Sequence, residues 1–175
     1  MMKQTLITLA LLGAVQQVQA SQIKFLGEIV DETCTLDVNG TSNPTILLPS
    51  ISKKELASIG QTAGEARLTL TLSGCTGGTA SRTITAAFLP NGDVNNQGRL
   101  ANEAPGGSAK VSLQLLDDTT PINLASGELS RVTLVEEGES TAGVSKVLNV
   151  RYYAEESGVE ATAVEGSVQY SISYL

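Results

Sequence analysis

Apolar residues recur at every second position through most of this chain, a period that suits β-strands burying one face and does not suit amphipathic helices. The longest such run places Val164, Gly166, Val168, Tyr170, Ile172 and Tyr174 on one parity, with Ser167, Gln169, Ser171 and Ser173 on the other. Shorter runs repeat the pattern: Leu68, Leu70 and Leu72; Ile84, Ala86 and Phe88; Val111, Leu113 and Leu115; and the segment 147–153. Near the start, Ile23, Phe25 and Ile29 alternate with Lys24 and Glu28, after which Val30, Cys34, Leu36 and Val38 continue on the opposite parity. Turn-forming pairs separate the runs, among them Asn39-Gly40, Gly77-Gly78, Gly106-Gly107 and Asp117-Asp118. Many short strands with glycine-rich turns predict an all-β fold, one antiparallel β-sandwich. One short helix is predicted over 52–59. Ser52 and Glu55 have the spacing of a capping box, and Gly60 can end the helix in a left-handed conformation.

With 175 residues the chain suits one domain, two at most. It has no His, no Trp and two Cys, which excludes a histidine-based triad, a histidine-ligated metal and a cysteine-rich zinc site. Eleven Lys and Arg against 18 Asp and Glu, without basic clusters, argue against nucleic acid as a partner. No catalytic residue, cofactor or metal ligand is therefore expected. Lys53 and Lys54 adjoin Ser52, but neighbours on a helix face different ways and a solvated, capped turn accounts for them. Residues 93–98 begin like a calcium loop, yet Gln97 and Ala104 are the wrong residues at its fifth and twelfth positions and the expected Glu is absent, so a strand-connecting turn is expected. Glu136, Glu137 and Glu139 read as a solvated loop. Asn39-Gly40-Thr41 matches a glycosylation sequon by pattern alone.

Residues 1–20 read as a secretory signal: Lys3, a ten-residue apolar stretch from Leu6 to Val15, and the small residues of a cleavage site ending at Ala20. The stretch is too short to span a bilayer. Export places the protein where disulfides form, so Cys34 and Cys75 are expected to pair. The two ends of the mature chain each carry an oddity. Gly27 interrupts the apolar face of Ile23, Phe25 and Ile29, and a glycine inside a strand often marks a close backbone approach. The strand running to Tyr174 and Leu175 has no later segment to pair with its far edge. The first strand folds back to cover it, or another chain does so by β-strand addition.

Taken together these residues resemble the chaperone–usher fimbrial subunits, the type 1-like major pilins. Ile23-Lys24-Phe25-Leu26-Gly27-Glu28-Ile29-Val30 followed by Cys34 is similar to that family's N-terminal extension and first cysteine. Leu48-Pro49-Ser50-Ile51, Leu56, Gly60, Ala63-Gly64 and the leucines up to Cys75 match the next segment. Leu100-Ala101-Asn102, Val111 through Asp117, Arg151-Tyr152-Tyr153-Ala154 and the penultimate Tyr174 complete the ordered set, which covers the whole mature chain. Thr162 stands where the family often has glycine.

The resemblance implies a division into a signal peptide (1–20), a donor-strand extension (21–33) and a pilin domain (34–175). It implies an incomplete immunoglobulin-like sandwich lacking its seventh strand. Val164, Val168, Tyr170, Ile172, Tyr174 and Leu175 would form the acceptor groove and chaperone-binding strand, and Ile23, Phe25, Gly27 and Ile29 the donor. Implied partners are a periplasmic chaperone, an outer-membrane usher and neighbouring subunits in a head-to-tail polymer. The product would be a surface fimbria that supports cell adhesion, its subunit exported through the periplasm. The competing reading of the residues is a stand-alone secreted β-sandwich that binds a ligand such as a carbohydrate. Two Phe and four Tyr offer that reading few stacking surfaces.

Overall fold

The computed structural model describes residues 33–90, 92–125 and 130–175. The expected signal sequence (1–20) and the expected donor residues Ile23, Phe25, Gly27 and Ile29 lie outside the described residues. The described strands are β1 (Thr35–Val38), β2 (Thr62–Ser73), β3 (Ile84–Pro90), β4 (Leu100–Ala101), β5 (Val111–Asp117), β6 (Thr120–Pro121), β7 (Ser130–Val135), β8 (Ser145–Ala154) and β9 (Val168–Tyr174), and the alternating runs supply all of them except β4, β6 and β7. All pairings are antiparallel. One sheet has the order β1-β2-β8-β5-β4, with β6 also on β5; the other has the order β7-β3-β9.

The core forms where the inward parities meet. Leu70, Ile84, Ala86 and Leu148 are sealed from solvent, and Leu72, Phe88, Leu115 and Val132 nearly so. Each large apolar side chain among these contributes about 1.5–3 kcal/mol on burial, so the leucine run of β2 alone fixes which of its faces turns inward. The pair Cys34–Cys75 is bonded, as expected, and ties the start of β1 to the turn that follows β2.

The expected helix is shorter than the capping box suggested. Ser52 and Glu55 do cap each other, with the Ser52 N–H donating to Glu55 Oε1 at 2.8 Å, but only a 3-10 turn forms over Lys53–Leu56. Tertiary partners take the next peptide groups. The Gly60 N–H donates to Ala154 O and the Gly158 N–H to Ala57 O, so the helix has no free groups with which to continue.

In β5 burial does not follow the alternation of the sequence, because Ser112, Gln114 and Leu116 on the outer side are buried as thoroughly as the inward leucines. The loop leading into β4 folds over them. Arg99 grips Glu155 with two hydrogen bonds of 2.6 and 2.7 Å, and its guanidinium lies 3.8 Å from the Tyr153 ring centre. Asn95 and Ser112 donate to the same carboxylate. This clamp accounts for residues 93–98, whose calcium-loop likeness is only local: Asn95 turns inward to Glu155, and its Oδ1 accepts the Gln97 and Arg99 N–H groups.

Candidate strand-acceptor site

Strand β9 pairs with β3 from Ile84↔Tyr174 to Pro90↔Val168 and, among the described residues, has no strand on its other side. Its inward residues Val168, Tyr170, Ile172 and Tyr174 pack against the core, yet each stays partly accessible where the inward residues of β2 are sealed. Among the described residues, such a strand presents a sheet edge over an apolar face that is only half covered.

The chain from Cys34 to Ile51 forms the opposite wall and runs antiparallel to residues 164–174. At one end the Cys34 N–H donates to Tyr174 Oη at 2.9 Å. Further along, Tyr170 Oη donates to Ser42 O at 2.7 Å. At the far end Ile51, Tyr152 and Val164 pack against a minor cluster of Leu56, Val111, Ala154 and Val159. A cleft of about 490 Å³ opens there. Residues 44–50 are extended with alternating burial: Pro44, Ile46 and Leu48 turn inward, while Thr45, Leu47 and Pro49 face solvent. Leu47 is 85% exposed. Among the described residues, this segment makes no main-chain hydrogen bond. Among the described residues, then, no strand pairs with the outer edge of β9 and no main-chain hydrogen bond is made by residues 44–50, and these two edges flank one apolar floor. An additional strand laid between them would satisfy both edges and cover the floor.

The expected groove residues fall into two groups. Val168, Tyr170, Ile172 and Tyr174 share the inward face of β9 as their parity predicts. Val164 is not in that strand. The run 164–174, read as one strand, divides because its first residues are held by the other sheet. Asn102 Nδ2 donates to Ala163 O at 2.9 Å, the Glu165 N–H to Asn102 Oδ1 at 3.1 Å and the Glu103 N–H to Glu165 O at 2.9 Å. Thr162 takes part too, its hydroxyl accepting the Ser108 N–H at 3.0 Å. Gly166 then passes the core closely: a Cβ there would lie 3.3 Å from Leu100 Cβ and from Leu113 Cδ1. Val164 still meets the groove, at its cleft end. Leu175 follows β9, its N–H donating to Thr83 O and its surface 58% exposed.

Sequence reading missed the wall 44–50, because Ile46-Leu47-Leu48 reads as an apolar run and conceals the alternation. It also missed the tyrosine hydroxyls as bridging groups. Burial, with a smaller contribution from Asp37, pushes the Tyr170 hydroxyl above the ordinary tyrosine range.

The fimbrial protein family matches residues 23–174. The F17 fimbrial protein of Escherichia coli is 33% identical, with 87% of this chain aligned to 86% of that one. The chain belongs to the fimbrial protein family. The major fimbrial subunit SMF-1 of Stenotrophomonas maltophilia is 32% identical over 87% of this chain and 90% of the relative. The type-1 fimbrial protein A chain of E. coli K12 is 27% identical over 86% and 81%. Among solved structures, the P pilus rod subunit PapA superposes with a TM-score of 0.60 at 16% identity, covering 88% of this chain and all of that one. At that identity the likeness speaks for the fold alone, and the fold is that of a pilin. This fimbrial subunit is accordingly a building block of a surface fimbrium, a polymer of pilin subunits.

Proposed function

We propose that this fimbrial subunit is polymerised by donor-strand exchange, with the slot between β9 and residues 44–50 as acceptor and residues 21–33 of a neighbouring subunit as donor. In this reading a periplasmic chaperone lends the missing strand first and anchors the carboxylate of Leu175. At an outer-membrane usher the neighbour's extension replaces it, and the resulting fibre supports adhesion of the cell.

The observation that supports the reading is a half-covered apolar floor flanked by two edges that, among the described residues, have no strand between them. Chemistry and length agree with it. Ile23, Phe25 and Ile29 lie on one parity and would contribute roughly 1.5–3 kcal/mol each on burial. Gly27, between them, lets the donor backbone lie close to bulky groove residues. Residues 21–32 extended reach about 40 Å, and the acceptor positions 164–174 span about 36 Å. Because the donor belongs to the next copy, contacts are head-to-tail and propagate.

The test is deletion of residues 21–29. The expected result is a subunit still exported with a chaperone as a soluble one-to-one complex but absent from fibres. Unheated surface material from the unmodified strain should run on a denaturing gel as a ladder that collapses only on boiling. Fibres assembled from the deleted subunit, or a wild-type subunit that runs as a monomer without heating, would overturn the proposal.

A further inference from the structure

A lysine stands at the mouth of the cleft. Lys53 lines it together with Ile51, Leu56 and Val164, and is exposed. The 3-10 turn puts it there, because residues three apart in such a turn eclipse one another and Lys53 therefore shares a face with Leu56. Leu56 is buried in the minor cluster under the cleft, which leaves Lys53 above it at the rim. The capping box holds the turn in place and engages the nearest carboxylate, Glu55 Oε1 accepting the Ser52 N–H at 2.8 Å. Glu160 borders the same cleft, but among the described residues no carboxylate lies within ion-pair distance of Lys53.

The other end of β9 carries the opposite sign. There the Leu175 N–H donates to Thr83 O, and the Thr83 hydroxyl donates to Glu136 Oε2 at 3.4 Å. Glu136, Glu137 and Glu139 are all exposed in that turn, with Arg82 next to Thr83. The proposed donor is itself uneven in charge. Ile29 is the last residue of its apolar parity, and Asp31-Glu32 follow immediately before Thr33. Laid antiparallel to β9 with the apolar parities matched, the donor brings residues 31 and 32 to the stretch 162–166, at the cleft. Laid parallel, it carries them to the Tyr174 end, among three glutamates. Repulsion opposes the second direction and Lys53 favours the first.

We infer that Lys53 is a docking residue for the donor, its ammonium receiving the Asp31-Glu32 pair of the neighbouring copy where that copy's arm emerges from the cleft. The inference rests on the strand-exchange reading above and names the partner of this end of the slot. The contact is exposed to solvent, so it governs direction and rate more than strength, and salt weakens it.

The test uses fibres of the full-length exported chain. A water-soluble carbodiimide joins an amine to a carboxylate only where the two touch. Wild-type fibres treated with it and then boiled should keep dimers linked from Lys53 of one copy to Asp31 or Glu32 of the next, identified by peptide mass. Lys53→Glu should speed dissociation of the unheated ladder about fivefold in low salt and less than about twofold in about 1 M salt. Adding Asp31→Lys and Glu32→Lys to Lys53→Glu should restore the wild-type rate. Arg131→Glu, the same change of charge on β7, should leave the rate unaltered. Absence of the Lys53 link, a link from Lys24 to Glu160, or equal dissociation of Lys53→Glu and wild-type fibres overturns the inference and leaves strand exchange standing. A wild-type chain that forms no heat-sensitive ladder removes both. Should the variants fail to reach the surface, the cross-links of wild-type fibres decide the matter alone.

Discussion

At the residue scale, two positions show how far local chemistry depends on distant partners. Gly64 sits in the bulge of β2 opposite Tyr152, with φ at +63°. A Cβ there would lie 2.6 Å from Tyr152 Cδ2 and 3.0 Å from Ile51. Tyr152 and Ile51 both border the cleft end of the slot. Gly64→Ala should therefore cost more than the roughly 1 kcal/mol of an unfavourable φ, on the order of 2–3 kcal/mol, and lower the denaturant midpoint of assembled fibres. The spacing Ala63-Gly64 was visible in the sequence, but the ring that demands glycine lies on β8, and no local pattern reports it.

Glu155 is the second position. The Arg99 guanidinium, helped by Ser112 and Asn95, holds its carboxyl below the ordinary glutamate range against the opposing effect of burial. A carboxyl with a depressed folded value contributes stability that is fully present above its unfolded value near 4.3. That contribution is lost as pH falls through the lower folded value. Glu155→Gln should thus cost about 1.5–3 kcal/mol at neutral pH, the range for a hydrogen bond to a charged group. The deficit relative to wild type should shrink as the pH falls below 4. Denaturant midpoints of the two proteins across a pH series check it, and a deficit that persists undiminished in acid would remove the clamp from the account.

At the element scale, strands that present one clean parity to the core were legible, and those that do not were missed. In β2 the three leucines announce the strand. In β7, Val132 and Val135 are both buried although their parities differ, because the register with β3 shifts between Ile84 and Thr85. A bulge of this kind turns one extra residue and erases the period-two signature. β4 and β6 have two residues each, too few to carry any period. The slot is half legible for the same reason: the parity of β9 marked its inward residues, while residues 44–50 of the opposite wall form no ladder among the described residues and so left no strand signal. These edges make a prediction of their own. In an unassembled subunit the amides of residues 44–50 and those of β9 that face away from β3 should exchange freely. In fibres they should slow by at least about a hundredfold, while amides of β3 stay slow in both states. Free exchange of the β9 edge within fibres would mean that no strand had been added there.

At the scale of the whole molecule, the sheet order β1-β2-β8-β5 joins segments far apart in the chain, and alternation alone does not specify such pairings. What was legible was the class, an antiparallel sandwich with one covalent staple. The staple closes a loop with a sequence separation of 41. Its loss by Cys34→Ala with Cys75→Ala should cost about 4 kcal/mol, much of a domain's net stability. The expected outcome is a sharp fall in exported subunit, measured as surface material per cell.

The contact between Cys34 and Tyr174 carries a consequence for growth. It places Thr33, from which the preceding residues depart, beside the terminus of β9, so the arm of each subunit leaves from the same pole at which its own slot ends. If subunits join by the proposed strand exchange, copies linked by such arms would form a filament with direction: one extremity would show an unspent arm and the other a vacant socket. Length regulation then reduces to chemistry at two unlike tips, and a short peptide that occupies the socket should stop elongation at one of them only.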